Sequence, residues 1–245
     1  MRMPWFDLKD YAWILKQAKD IGYDIRPVKE MPAQKDGSLY LRHDVDLHLH
    51  RITDMAELEA ASGVKATYFV MVEGHYNVLL PQNRGILRDL VDMGHEIGYH
   101  YTTTEGFYEN LKLLERTAAT EIRSIVLHEP HLNSDPLKNA AYYVHPHAYP
   151  HSYYISDSCR GWRDENLLKI LTQKQRSVLL NIHPELWLTP TARYRTEYLE
   201  FTTLPAMDHF AHDHIRNHIA PDWGQHDAVR LDTERLHGKW HKHRG

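Results

Sequence analysis

The amino-acid sequence predicts an α/β protein, a single domain built around a parallel sheet, and three observations carry that expectation. Short β-branched and aromatic runs alternate with helical stretches of amphipathic character as far as about residue 187. The runs are nearly continuously apolar, as strands buried on both faces require. The composition, 42% hydrophobic and 25% charged, is that of a globular chain long enough to bury a large core without a disulfide or metal staple.

Each element has its own local reason. Asp7 can cap a helix whose apolar positions, Leu8, Tyr11, Leu15, Ala18 and Ile21, recur at helical spacing until Gly22 stops the pattern. Leu39 to Asp44, bounded upstream by Asp36-Gly37, reads as a strand. A helical stretch from Ile52 to Ser62 ends at Gly63 and is followed by the strand-like run Ala66 to Val72. Pro81 opens a helix with Ile86, Leu87, Leu90 and Val91 on one side and Gly94 at its end, and His95 to His100 follows as a strand. A helix carrying Phe107, Leu111, Leu114 and Ala118 leads to the strand Ser124 to His128, and Asp135-Pro136 has the form of an N-cap and first-turn proline. The strand Tyr153 to Ser156, a helix from Asp164 to Leu171 and the strand Val178 to His183 complete the series. Six strands are counted and a seventh is suspected, so the sheet is open or closed into a barrel.

Charge and cysteine content narrow the function classes. Lys+Arg 29 against Asp+Glu 33 leaves a net charge of −4 with the signs interspersed, which argues against nucleic acid or an anionic membrane as the partner. The single cysteine, Cys159, excludes an internal disulfide framework and suits a reducing compartment. Lys9, Asp10, Lys16, Lys19 and Asp20 interrupt any apolar run near the start, so neither a signal segment nor an integral membrane segment is expected, and the location is read as cytoplasmic.

The chain contains 20 histidines, and their positions matter more than their number. In parallel α/β folds, chemistry collects at the carboxyl ends of the strands. The first strand ends in Arg42-His-Asp44-Val-Asp46, where side chains two apart share a face. Two converging carboxylates must share a proton, bind a cation or meet an arginine, and Arg42 is at hand for the last of these. His100, His128 and His183 stand at the ends of three further strands. His95, just after the helix-terminating Gly94, suits helix-end packing. Aspartate and histidine ligands leaving one position open are the donors of a catalytic divalent site, Zn²⁺ first and Co²⁺, Ni²⁺ or Mn²⁺ as alternatives.

The order of these motifs resembles the polysaccharide deacetylase family (NodB homology, carbohydrate esterase family 4) from about Leu39 to Trp187. Leu39-Tyr-Leu-Arg-His-Asp-Val-Asp46 is similar to that family's Asp-rich motif, and Ala66-Thr-Tyr-Phe-Val70 to its second strand. Gly94-His-Glu-Ile-Gly-Tyr-His100 resembles the segment carrying its first ligand histidine. Ser156-Asp-Ser-Cys-Arg-Gly-Trp162 resembles its Asp/Trp motif, and Leu180-Asn-Ile-His183 the strand ending in its acid histidine. The resemblance implies a distorted (β/α)7 barrel, taken to span 1–205 with the N-terminal helix read above, and the histidines after Pro205, with few aliphatics among them, mark a C-terminal extension, 206–245, packed on the barrel or trailing from it. It also implies metal-dependent hydrolysis of an N-acyl group, acetyl or formyl, on an amino-sugar-containing saccharide. A sugar-nucleotide or lipid-linked saccharide of surface-polysaccharide or O-antigen synthesis would fit a cytoplasmic enzyme.

Carried over by position, one aspartate of the pair is the base and the other a metal ligand, with Asp44 taken as base and Asp46 as ligand, while His100 is a ligand, His183 the acid and Asp157 the group that orients or tunes it. Arg160, Trp162 and Trp187 are the expected substrate contacts. Two departures stand out: Val45 separates aspartates that are adjacent in the family, and Thr104 stands where the second ligand histidine is usual. His128, in His128-Glu-Pro130 where the family carries Arg-x-Pro, is the expected replacement ligand, with His48 and His50 as the other candidates. The tyrosines 142, 143, 149, 153 and 154 suit either sugar stacking or core packing, and His209-x-x-His212-x-His214 suits a solvated or pocket-covering segment. The rival readings are a same-fold hydrolase of a small non-sugar amide and a non-catalytic barrel that binds glycan or protein.

Overall fold

The structure, a computed structural model, describes residues 6–33, 36–47, 49, 52–128, 153–157, 166–175 and 177–187. Several expectations lie outside these residues: the turn at Asp135-Pro136, Tyr142, Tyr143, Tyr149, His48, His50, Cys159, Arg160, Trp162, and the tail with its boundary at 205.

The chain begins with α1 (Leu8–Asp20), capped by Asp7, whose carboxylate accepts from the Asp10 amide at 2.8 Å. Its apolar stripe is buried through Tyr11, Ile14, Leu15 and Ala18, and Gly22 at φ +94° turns the chain out of the helix, a conformation that favours glycine. β1 (Asp24–Pro27) and a 3-10 helix (Val28–Ala33) precede β2 (Ser38–Val45). Then follow α2 (Thr53–Ala61), β3 (Thr67–Val70), α3 (Pro81–Asp92), β4 (Glu96–Tyr101), α4 (Phe107–Ala118) and β5 (Ile125–Leu127). β6 (Tyr153–Ser156), α5 (Asn166–Thr172), β7 (Ser177–Ile182) and the single turn α6 (Pro184–Trp187) end the described chain.

All pairings are parallel, and the strand order is β5-β4-β3-β2-β7-β6. That order runs 2-3-4-5 to one side of β2 and 7-6 to the other. Among the described residues β5 and β6 end the order, and a barrel has such an order because the last strand returns to pair with the first of the series. The fold is therefore the α/β architecture of a distorted (β/α) barrel. A seventh strand, β1, at a position that the sequence pattern does not mark, pairs Asp24 to Pro27 against Ser38 to Leu41, while β3 takes Arg42 to Val45.

β2 is buried along its whole length, and its alternation sorts its polar residues into two layers. One layer contains Arg42 and Asp44. Under it lies a core of Val28, Met31, Tyr40, Phe69, Val126 and Leu179, drawn from the 3-10 helix and four strands. Gly98 of β4 faces Phe69 of β3 in register, and a Cβ there would stand 2.5 Å from Phe69 Cδ1. The bare backbone lets the phenyl ring lie flat beneath the Arg42 guanidinium, which sits 5.2 Å from its centroid.

His43 belongs to the other layer, where Glu59 of α2 is fully buried. Glu59 accepts from the hydroxyls of Tyr11 and Tyr68, lies 2.6 Å from His43 Nε2 and 3.6 Å from His95 Nδ1. Burial would raise the Glu59 carboxyl, but His43, His95 and the Tyr11 hydroxyl together outweigh burial and keep it below its ordinary value. His95 thus serves packing and helix-to-strand bonding: its Nδ1 accepts from the Ala66 amide at 3.2 Å.

Candidate active site

The carboxyl ends of β2, β4, β5 and β7 bring the sequence-identified residues together. Asp44 is the penultimate residue of β2, Asp46 lies just past the strand, His100 is on β4, and His128 and His183 immediately follow β5 and β7.

Asp44 meets the arginine. Arg42 donates from Nε and from an Nη to the two carboxylate oxygens, both at 2.7 Å, and Asn181 Nδ2 donates to Oδ2 at 2.9 Å. Burial raises this carboxyl, but Arg42, with His100 and His183, outweighs it and holds Asp44 well below the usual carboxylate range. Asn181, quoted in the seventh-strand motif but assigned no role, thus joins Arg42 in ordering Asp44. Its Nδ2 also stands 3.2 Å from the Tyr154 hydroxyl, whose residue is 41% exposed.

Asp46 meets the histidines. Its Oδ1 lies 3.3 Å from His100 Nε2 and 3.6 Å from His128 Nδ1, and the two ring nitrogens are 3.1 Å apart. Ligands about 2.0–2.1 Å from a tetrahedral Zn²⁺ stand about 3.3–3.4 Å from one another. The three edges match that triangle. Asp46 Oδ1 is buried and faces only the two imidazole nitrogens, the donor set that a cation would take up. His100 Nδ1 lies 3.2 Å from the Val126 carbonyl, a bond that places a proton on Nδ1 and turns Nε2 toward Asp46 and His128. Among the described residues, Asp46, His100 and His128 form the one group with metal-binding geometry. Thr104 lies exposed on the turn before α4, and His128 is the third member of the group with Asp46 and His100.

His183 completes the cluster. Its Nδ1 lies 2.6 Å from Asp157 Oδ1, and its Nε2 is 3.9 Å from both Asp44 Oδ2 and Asp46 Oδ2. Burial pushes the imidazole down, and Asp157 followed by Asp46 and Asp44 overcomes burial and raises it well above an ordinary histidine. Asp157 is itself fixed by the His183 backbone amide at 3.1 Å and by Trp187 Nε1 at 2.6 Å.

Trp187 calls for a correction. Expected as a substrate contact, it is only 1% exposed and packs on Phe6 and Tyr11, with ring centroids 4.8 and 5.6 Å away. A side chain enclosed in this way offers no face to a saccharide, and its indole N–H is spent on Asp157. Two further residues escaped the sequence reading. Glu185 is buried, its carboxyl pushed up to about 8 by burial and by the charge of Asp46. The Tyr76 hydroxyl, from the segment after β3, bonds to the end of β2. Neither position has a spacing that signals such a contact.

No protein-family model and no curated protein matches this sequence. The chain is similar to solved structures. A chitin deacetylase from the fungus Colletotrichum lindemuthianum matches at 14% identity and a TM-score of 0.44, over 68% of this chain and 81% of that one. A peptidoglycan deacetylase from Bacillus subtilis matches at 12% identity and a TM-score of 0.45, over 78% and 98%. A family 4 carbohydrate esterase pseudoenzyme from Bacillus anthracis matches at 15% and 0.44; the match covers 66% of this chain and 57%, less than two thirds, of that one. The solved structures to which the chain is similar thus include deacetylases of chitin and of peptidoglycan and a family 4 carbohydrate esterase pseudoenzyme.

Proposed function

We propose that this protein is a metal-dependent N-deacylase that removes an acetyl or formyl group from an amino-sugar-containing saccharide. The observation that supports it best is the Asp46, His100, His128 triangle, with edges of 3.1, 3.3 and 3.6 Å and a buried carboxylate oxygen at one corner. One oxygen and two nitrogen donors with an open position suit Zn²⁺. Held by these three residues, a divalent ion would polarise the acyl carbonyl and lower the pKa of water.

The chain's own residues supply the proton transfers. Asp44, held ionised by Arg42, takes the proton of the attacking water. His183, kept protonated by Asp157, gives its Nε2 proton to the departing amine nitrogen. Asp157 holds the imidazole by Nδ1, so that Nε2 faces the space shared with Asp44 and Asp46. The saccharide specificity rests on the motif resemblance. Tyr154, exposed beside Asn181, is a stacking face for a sugar ring.

The test is a panel of N-acetylated and N-formylated amino-sugar oligomers set against small amides, assayed for released acid. Release from the sugars, abolished by a chelator and restored by Zn²⁺, is the expected result. Turnover of small amides alone would move the substrate class. Saccharide binding without turnover under any divalent metal would contradict the enzyme.

A further inference from the structure

Asp46 lies one residue beyond the last paired residue of β2, where the sheet no longer holds the backbone. Its carboxylate nevertheless has to arrive within a few tenths of an ångström of one point. The peptide group that joins Val45 to Asp46 is held by two side chains from distant parts of the chain. The Tyr76 hydroxyl donates to the Val45 carbonyl at 2.7 Å and accepts from the Met71 amide at 2.9 Å. An amide only donates and a carbonyl only accepts, so both roles of the hydroxyl are fixed. β2 and β3 stop pairing at Val45 and Val70, and the phenol makes the next rung in place of a direct backbone bond. On the other edge of the same peptide, Glu185 Oε1 accepts from the Asp46 amide at 3.2 Å. The C=O and N–H of a trans peptide point in opposite directions, so the two contacts restrain one rigid plane from both sides.

We infer that Tyr76 and Glu185 are positioning residues that clamp the Val45–Asp46 peptide and so aim the Asp46 carboxylate at the metal. Glu185 lies two residues after His183, so the clamp also ties the metal-ligand segment to the strand end that carries the acid histidine. The single-residue separation of Asp44 from Asp46 makes such a device necessary: Asp44 is aimed by the sheet and by Arg42, whereas Asp46 has only the plane of the peptide before it. The inference rests on the metal site proposed above, and its test separates the two.

The variants are Tyr76→Phe, Glu185→Leu and Glu185→Gln, the last keeping an acceptor oxygen, with Asp46→Ala as reference. Exchange of the Asp46 amide is measured by NMR in metal-free protein, and Co²⁺ affinity by competition with a chelator. Slow exchange of the Asp46 amide is expected in the wild type. Tyr76→Phe and Glu185→Leu should accelerate it and weaken Co²⁺ binding by about 10–100-fold, as loss of outer-shell support does. Glu185→Gln should restore both, a rescue that general destabilisation would not show. Wild-type Co²⁺ binding that needs Asp46 yet is unchanged in the Phe and Leu variants would overturn the clamp and leave the metal site standing. Co²⁺ binding indifferent to Asp46→Ala would overturn the metal site and, with it, the aiming role of the clamp. Fast Asp46 exchange in the wild type would overturn the clamp directly.

Discussion

Asp44→Asn is expected to lower turnover by about 10²–10⁴-fold, the range that a positioned general base contributes, while leaving the bound metal in place. The two halves of this result have separate causes. Asp44 lies with Arg42 and Asn181, and the metal triangle is built on Asp46. An amide has nearly the same shape as the carboxylate, so packing over Phe69 survives. It has no basic oxygen, however, and it presents an NH₂ group toward Arg42 or Asn181, which are themselves donors. Steady-state kinetics beside metal analysis of the same preparation checks the expectation. Turnover within about threefold of wild type would mean that Asp44 serves only as the partner of Arg42, the structural bridge that the sequence left open.

Arg42→Met is expected to destabilise the protein by about 3–5 kcal/mol at neutral pH, because it leaves a buried carboxylate without its partner. Both side chains are almost wholly buried, at 5% and 6% exposure, so solvent does little to screen the loss. The pH dependence has a definite sign. In the wild type the Asp44 pKa is depressed, so its contribution is present above the unfolded carboxylate pKa of about 3.9 and is lost as pH falls toward the folded value. Without Arg42, burial dominates and the folded pKa rises above the unfolded one. The charged form is then penalised, and that penalty is relieved by acid. The gap between wild type and variant should therefore be widest near pH 7 and should narrow toward pH 4, as read by urea unfolding at both values. Arg42→Met combined with Asp44→Leu should recover much of the loss, since it removes both charges. A single-variant loss below about 1 kcal/mol would show that Asp44 finds other compensation.

The strands were legible where their own residues carry the signal. β2, β3, β4 and β7 are buried at every position, and their apolar runs stand out from the flanking glycines and charges. β1 was not: Asp-Ile-Arg-Pro has one aliphatic residue and is a strand because β2 offers it an edge. The site divides along the same line. Asp44, Asp46, His100, His128 and His183 stand at strand ends, a place where local sequence and fold class together pick out chemistry. The contacts of Tyr76 and Glu185 join residues 31 and 139 positions apart and leave no local pattern. Trp187 shows the limit most clearly. Its presence beside the histidine motif was read correctly and its surroundings were not, because only the packing of α6 against α1 turns its indole toward Asp157.

The claim on which the rest depends is that Asp46, His100 and His128 hold one divalent ion. Metal per chain, measured by mass spectrometry on untagged protein, tests it most directly, comparing wild type with His128→Ala and with the Asp46→Ala, His100→Ala double variant. About one equivalent of metal is expected in the wild type, lost in both variants. Equal metal content in all three would place the ion elsewhere and remove the basis for the proposed hydrolysis.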